Sequence, residues 1–459
     1  MSIGDRAMTT PTRSALLCAM PAIGHVDPML VVARELRARG WRVRMLTGAR
    51  YAERVRAADV EFVALPPEAD TLDTVGSSGR NRGIATINAG VEEAFVRPAL
   101  PAARRLDELL ASEPADVVFH DMTFLGVQTL FARPRNERRL TVMCGVGPAG
   151  FSSRDCPPYG LGIVPSRSRQ WGRIRDAVLN RSARWVLSGA HRALDGMLDE
   201  LGAPGLDGAF FMDVLDRSDL IAQFTVAEFE YPRSDAPSAL RFYGPMSSPA
   251  AGSGAAAAAG TDAGSASAAV AGSDAASART VPAWLQALDE HVPVVHVTQG
   301  TVANTDFSEL IAPTLEALAH HPVQVVVTAG GRPAADLPPL PHNAVAADYL
   351  PYDMLLPRTD VFITNGGYGG LHHAMRYGVP IVVAGDSEDK VETSARVQWS
   401  GAGISLGTGR PSAAQVERAV TRILGDPAYA AAARRIGERI TAAGGAPALV
   451  DDVEAMLGG

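Results

Sequence analysis

Two successive α/β halves, each a doubly wound parallel sheet, are the fold class that this 459-residue sequence predicts. Three observations carry the prediction. Short apolar runs alternate with helix-length amphipathic segments from residue 14 to residue 145, the pattern restarts near residue 293, and a stretch of Ala, Gly, Ser and Asp at 247–279 separates the two series. The length also exceeds one ordinary core, at roughly 150 residues per domain. Hydrophobic residues at 47% and charged residues at 20% suit a globular α/β chain rather than a disordered one.

Residues 1–12 read as a disordered tail, and residues 14–20 form the first apolar run. That run is too short to span a bilayer and leads into a Gly/His/Asp/Pro loop rather than a small-residue cleavage site, so it reads as a strand. Residues 28–39 carry apolar positions at helical spacing, with Asp27 placed to cap, Pro28 at the first helical position and Gly40 at the end. Strands at 42–47, 61–65, 116–121 and 140–145, with crossover helices, extend a first domain over 13–246. The 247–279 stretch buries too little apolar surface to offset chain ordering, which predicts a flexible insertion. Strands at 293–300, 323–330, 344–349, 361–365 and 380–385 then build a second domain over 280–459. From Ser412 onward the pattern is helical, and the amphipathic segment 448–457 needs a surface to pack against.

A formal net charge of -8, without any long run of Lys or Arg, argues against nucleic acid as a partner. The three cysteines, Cys18, Cys144 and Cys156, have neither CxxC nor Cys/His metal spacing and read as reduced, structural residues of a cytoplasmic protein without a membrane span. No paired carboxylate motif ends a strand in the way a metal site requires, so no metal is expected.

In open parallel sheets, ligands collect at the carboxyl ends of strands, where loops vary freely and helix N-termini present their amides. The loop Pro-Ala-Ile-Gly-His-Val-Asp-Pro at 21–28 leaves the first strand at that end, with Gly24 placed for a sharp turn that presents His25. A histidine, with an unperturbed pKa of ~6.5, can take a proton from a hydroxyl near neutral pH, which makes His25 the candidate general base. Asp121 ends the strand 116–121 and is the candidate carboxylate that orients it. The plainer alternative is that His25 and Asp27 only cap a helix. His120 alternates away from Asp121 along the strand and reads as structural.

In the second half, Thr-Asn-Gly-Gly-Tyr-Gly-Gly at 364–370 ends a strand and opens a helix. Gly366, Gly367, Gly369 and Gly370 let backbone amides approach an anion such as a diphosphate, although a tight turn would explain them too. The spacing matches neither a P-loop nor GxGxxG. Thr298, Gly300 and Thr301 leave another strand and offer hydroxyls and an amide to the same ligand. Tyr349 and Leu350 offer a ring to stack on a base and a backbone to read its edge, with core packing as the alternative. Asp389 and Lys390 follow the strand 380–385, where side chains can grip sugar hydroxyls; a solvated helix start accounts for them equally well.

Together, Gly-His-Val-Asp-Pro at 24–28 and the stretch 349–403 resemble the GT-B fold glycosyltransferases of family 1, especially bacterial enzymes that glycosylate macrolides and other natural products. The resemblance covers nearly the whole chain apart from the tail and the insertion. It implies two Rossmann-like domains facing across a cleft, the first binding acceptor and the second nucleotide sugar, with a final helix crossing back to the first domain. It also implies His25 as the base, Asp121 as its partner, Tyr349 where a tryptophan usually stacks on uracil, Leu350 as its backbone-contacting neighbour, and Thr298 and Thr301 near the diphosphate. Three places depart from the pattern. Asn365 stands where most members have a phosphate-contacting histidine, His373 where a glutamate grips the ribose, and Asp389-Lys390 where an Asp/Glu-Gln pair reads the sugar.

The implied activity is inverting, metal-independent transfer of a hexose, from UDP-glucose or else a dTDP-sugar, to a hydroxyl of a small hydrophobic macrolide, polyketide or aromatic compound. The nucleotide sugar is then a co-substrate and no cofactor is needed. Ile23, Met122, Phe124 and Phe151, in apolar loop-rich pieces, are the expected acceptor contacts. Two rivals stay open. A sugar-nucleotide epimerase of similar architecture would carry carboxylate acid/base groups and a more polar first half; a non-catalytic helper protein would have lost the base or the donor loop.

Overall fold

The computed structural model describes residues 13–71, 88, 90–166, 168–246, 283–300, 304, 306–386 and 389–458. The expected tail at 1–12 and insertion at 247–279 lie outside the described residues. The chain divides into two compact units, Met1–Ser247 with Arg439–Gly459, and Ser248–Glu438.

In the first unit, β1 (Ser14–Cys18), β2 (Arg42–Thr47), β3 (Glu61–Ala64), β4 (Val117–Asp121), β5 (Leu140–Gly145), β6 (Leu220–Gln223) and β7 (Leu240–Phe242) pair in the order β3-β2-β1-β4-β5-β6-β7. Every pairing is parallel. β1 shows why its run is apolar throughout: Ala15 and Leu17 enter one core cluster while Leu16 and Cys18 enter another, because successive side chains point to opposite faces and helices cover both. The first face is covered by α1 (Ile23–Ala38), which buries Val26, Met29, Leu30, Val32, Ala33 and Leu36. The second is covered by α2 (Ala99–Ser112) through Ala102, Leu106 and Leu109.

The start of α1 departs from the sequence expectation. The helix begins at Ile23, so Pro28 lies inside it, and Asp27 does not cap. Asp27 instead receives both arms of Arg54, at 2.6 and 2.9 Å. The proline has no N–H to donate to the Gly24 carbonyl four residues earlier, so α1 lacks one backbone bond there. Nor does Gly24 make a sharp turn; a Cβ there would meet nothing within 4 Å. The far end follows expectation. Gly40, at φ +82, donates to the Arg37 carbonyl at 2.9 Å, and Trp41 donates to that of Leu36 at 3.0 Å, a left-handed cap that glycine adopts without strain. Between β5 and β6 lie α3 (Arg169–Val186) and α4 (Ser188–Glu200). β6 and β7, four and three residues long, are too short to show a pattern in the sequence.

The second unit contains β8 (Val294–Thr298), β9 (Gln324–Thr328), β10 (Ala344–Ala347), β11 (Val361–Thr364), β12 (Ile381–Val383) and β13 (Gly403–Ser405), in the order β10-β9-β8-β11-β12-β13 and again all parallel. α5 (Ile311–Leu318), α6 (Tyr368–Arg376), α7 (Lys390–Ser400) and α8 (Ala413–Gly425) surround it. α5 and α8 share a core with β8, β9 and β11 through Ile311, Leu315, Val416 and Val420. Strand order reverses between β1 and β4 in the first sheet and between β8 and β11 in the second. Those reversals open a crevice outside the carboxyl ends of the neighbouring strands.

α9 (Pro427–Ala442) leads to α10 (Gly445–Gly458), whose Ala446, Leu449, Val450 and Val453 recur at helical spacing and join the core cluster of α1. The amphipathic segment at 448–457 thus finds its surface on the first unit. Polar clamps fix the register: Glu454 accepts from Trp41 Nε1 and from Arg39 Nη1, both at 3.0 Å, and Arg39 Nη2 donates to the Pro447 carbonyl at 3.0 Å. Leu449→Ala is therefore expected to destabilise the first unit by about 2–5 kcal/mol, read from the denaturant midpoint. Met456→Ala, at a side chain exposed on the same helix, should stay within about 0.5 kcal/mol of the parent.

Candidate active site

His25 occupies the first turn of α1, which the extended Ala22 (φ -135) turns in from β1, and its N–H donates to the Ala22 carbonyl at 2.9 Å. β1 and β4 are hydrogen-bonded neighbours with Cys18 opposite His120, so the end of β4 delivers Asp121 beside that turn. The imidazole Nδ1 lies 3.2 Å from Asp121 Oδ1 and 3.1 Å from Thr123 Oγ1. The Asp121 side chain has no exposure, whereas that of His25 keeps 21%.

The hydrogen-bond network assigns the tautomer. Asp121 Oδ2 accepts from the Met20 N–H at 2.6 Å, and Oδ1 accepts from both the N–H and the hydroxyl of Thr123, each at 2.6 Å. With its one proton given to Asp121, Thr123 Oγ1 can only accept from His25, so Nδ1 carries the hydrogen and the lone pair sits on Nε2. Burial would raise the Asp121 carboxyl, but His25, the Thr123 hydroxyl and the Met20 amide outweigh it and hold the group below the usual carboxylate range. Thr123 is absent from the sequence reading. Its signal was present in the Asp-x-Thr spacing, which lets a hydroxyl and an amide fold back onto the preceding carboxylate.

His120 is structural, as its alternation predicts. It is 1% exposed, its Nδ1 donates to the Asp121 carbonyl at 3.0 Å, its Nε2 accepts from the Ser218 hydroxyl at 2.9 Å, and burial pulls its pKa down to about 4. The three cysteines are free and buried. Burial first, then the nearby Asp121, raises the thiol pKa of both Cys18 and Cys144, which keeps them protonated.

The expected acceptor contacts are unequal. Ile23 is half-buried at the first position of α1. Met122 and Phe151 belong to the main core cluster, and Phe151 also lines a cavity of about 230 Å³ with Ser152, Asp213, Val214 and Arg217. Phe124 lies elsewhere, buried in the core cluster of Leu16, Leu106 and Val127 that α2 covers.

Of the donor candidates, Thr298, Gly300, Asn365 and Gly366 lie where the second sheet reverses, at the ends of β8 and β11. Thr298 ends β8, and its Oγ1 accepts from the Gly300 N–H at 3.2 Å. Thr301 lies outside the described residues. Gly300 turns at φ +71, and Asn365, which follows β11, donates its amide to the Gln299 carbonyl, joining the two strand-end loops. Asn304 and Gly330, which sequence reasoning missed, finish this stitching: the Asn304 amide donates to the Gly300 carbonyl at 3.1 Å and to that of Ala329 at 3.2 Å, and a Cβ on Gly330 would fall 1.9 Å from the Gly300 oxygen.

Gly366, at φ +96, swings the chain from β11 into α6, and its carbonyl accepts from the Thr393 hydroxyl at 2.8 Å. Gly367 is the N-cap, and no acidic side chain stands in the first turn of α6, a helix start whose dipole favours an anion. A Cβ at Gly366 would lie 3.0 Å from Val383 and 3.2 Å from Thr393, whereas one at Gly367 or Gly369 would meet nothing within 4 Å, and Gly370 has Tyr352 at 3.6 Å. Gly366→Ala should therefore lose about 1–2 kcal/mol of stability, while Gly369→Ala should gain up to about 1 kcal/mol from helix propensity. Urea denaturation of the two variants tests this opposition of sign.

His373 lies on α6 with its ring centroid 5.3 Å from that of Tyr352. Burial, helped by Arg376 against Asp353, lowers its pKa to about 4, so it stands as a neutral imidazole with one donor and one acceptor. Tyr349 is half-buried after β10, and the Leu350 side chain joins the core, leaving only its backbone for a ligand. Asp389 occupies the N-cap position of α7 without a side-chain capping bond, and Lys390 begins the helix at 8% exposure. Gly385 draws this loop against the β11 loop, since a Cβ there would lie 2.4 Å from the Asn365 oxygen.

Known proteins bear on this arrangement. Residues 17–133 match the glycosyltransferase family 28 N-terminal domain, and residues 312–456 match the C-terminal domain of erythromycin biosynthesis protein CIII-like proteins. The chain is 36% identical to 4'-demethylrebeccamycin synthase of Lentzea aerocolonigenes, over 96% of this chain and 99% of that protein. It is 30% identical to UDP-glycosyltransferase 2 of Phaeomoniella chlamydospora, over 98% and 96%. Among solved structures, a calicheamicin glycosyltransferase superposes with a TM-score of 0.67 at 23% identity, covering 98% of this chain and 99% of that one. A spinosyn rhamnosyltransferase complexed with thymidine diphosphate gives a TM-score of 0.65 at 20% identity, covering 96% and 100%. Two all-parallel Rossmann-like sheets, strand-end loops stitched at each reversal of strand order, and a relative similar from end to end place the chain among the family 1 GT-B glycosyltransferases of natural-product type.

Proposed function

We propose that the protein is a metal-independent, inverting hexosyltransferase that moves glucose from UDP-glucose to a hydroxyl of a small hydrophobic natural product. The observation that carries this reading is the His25–Asp121–Thr123 constellation, in which a buried carboxylate orients an imidazole whose Nε2 holds the lone pair. The acceptor O–H gives its proton to Nε2 as its oxygen bonds to the anomeric carbon, and the bond from that carbon to the diphosphate breaks with its electron pair leaving on the diphosphate. One displacement inverts the configuration. Asp121 stabilises the imidazolium that forms, and charge growing on the diphosphate meets the amides at the start of α6 and the dipole behind them.

UDP is favoured as the donor nucleotide because a 30% identical relative is a UDP-glycosyltransferase. The competing donor is a dTDP-sugar, since a neighbour of the same fold binds thymidine diphosphate. The free, buried cysteines favour work in the reducing cytoplasm. Incubating the full chain with UDP-glucose and dTDP-sugars across a panel of macrolide, polyketide and aromatic acceptors, with mass spectrometry of the products, tests the proposal. A hexose adduct on acceptor is the expected result. Conversion of the nucleotide sugar without acceptor favours the epimerase, and failure of every donor to bind favours the helper protein.

A further inference from the structure

Among the described residues, four of the nine exposed large hydrophobic side chains lie on α3. Trp171, Ile174, Val178 and Trp185 are 74%, 59%, 61% and 73% exposed, while Gly172, Asp176 and Ala183 turn inward. At helical pitch the four apolar side chains fall within an arc of about 60°, and the two tryptophans stand about 21 Å apart along the axis. The rest of the helix is basic, with five arginines against a single acidic residue, Asp176, which is 1% exposed and paired with Arg175 at 2.7 Å. Arg173 is held by Asp155 at 2.8 Å, but Arg181 and Arg184 are exposed beside the stripe. A chain with a formal net charge of -8 thus concentrates positive charge around one outward apolar stripe.

We propose that α3 is an interfacial helix that seats the protein on an anionic lipid surface. Trp171, Ile174, Val178 and Trp185 would enter the boundary between headgroups and acyl chains, and Arg181 and Arg184 would meet lipid phosphates. Charge complementarity selects this occupant. A high-moment helix with tryptophans on its apolar face and arginines on its polar face lies in the plane of such a surface. A second copy docked stripe to stripe would instead bring together two helices that each carry five arginines and one acidic residue. Among the described residues no helix is long and apolar enough to cross a membrane, so the contact is one of lying on the surface.

The test is sedimentation of the full chain with unilamellar vesicles of phosphatidylcholine alone or mixed with phosphatidylglycerol. The parent should partition onto the mixed vesicles and be released by salt. The pair Trp171→Ser and Trp185→Ser should abolish partitioning onto both vesicles, and the pair Arg181→Glu and Arg184→Glu should weaken binding to the mixed vesicles by about thirty-fold or more. No association of the parent with anionic vesicles overturns the proposal. So does a parent dimer, seen by light scattering, that the serine pair converts to monomer, or loss of transfer to a water-soluble acceptor in that pair. Sedimentation needs neither donor nor acceptor, so its outcome is separate from that of the proposed activity.

Discussion

Replacing His25 with alanine is expected to lower kcat by a factor of about 10²–10⁴, the range that a positioned general base supplies. Donor affinity should stay within about two-fold of the parent, because His25 belongs to the first unit and the donor loops to the second. The variant should also fold. Asp121 keeps its bonds from the Met20 N–H and from the N–H and hydroxyl of Thr123, so removing the ring deprives the carboxylate of one partner among four. Calorimetric titration with UDP, thermal denaturation and a single-turnover assay together separate the roles. Full transfer activity in a folded variant that binds UDP normally would sink the assignment of His25 as base. Lost UDP binding would instead mark His25 as part of the donor site.

Much of this architecture was legible because both faces of each sheet are covered. The core strands read as unbroken apolar runs, and β1, with Ala15 and Leu17 on one face and Leu16 and Cys18 on the other, is the clearest case. Strand ends then located His25, Asp121, Thr298 and Asn365, since parallel sheets expose their carboxyl edges to ligand. What escaped depends on neighbours distant in sequence. The start of α1 was misplaced because Pro28 and Asp27 look like an N-terminus, whereas Asp27 is claimed by Arg54. Phe124 looked like a pocket residue, but only the α2 core decides where its ring goes. Asn304 and Gly330 have no motif of their own; the Asn304 amide binds the Gly300 carbonyl, and Gly330 leaves it the room that a Cβ would fill. Asn365 read as a departure from a phosphate-contacting histidine; in the fold its amide already joins two loops, which is a reason for an amide at that place.

Asp121→Asn should be as damaging to transfer as loss of His25, and for two separable reasons. The native carboxyl sits below the usual carboxylate range, so whatever stability its charge contributes is present at neutral pH and lost only as pH falls through that lowered value; asparagine removes a charge that is always there under assay conditions. Asparagine also has one acceptor atom where aspartate has two. If its oxygen takes the place of Oδ1, the amide group faces the Met20 N–H at 2.6 Å, donor against donor. If it is flipped, the amide faces the Thr123 N–H, also at 2.6 Å, and donates to His25 Nδ1, forcing the hydrogen onto Nε2. Either orientation strands one backbone N–H, at about 1–3 kcal/mol of stability. Either one also leaves the imidazolium without its counter-charge, so kcat is expected to fall by about 10³–10⁴. The double variant His25→Ala with Asp121→Asn supplies the decisive comparison. If Asp121 acts through the imidazole, the double variant transfers sugar no more slowly than His25→Ala alone, because the carboxylate has nothing left to orient. Losses that multiply would instead give Asp121 a role of its own in the reaction.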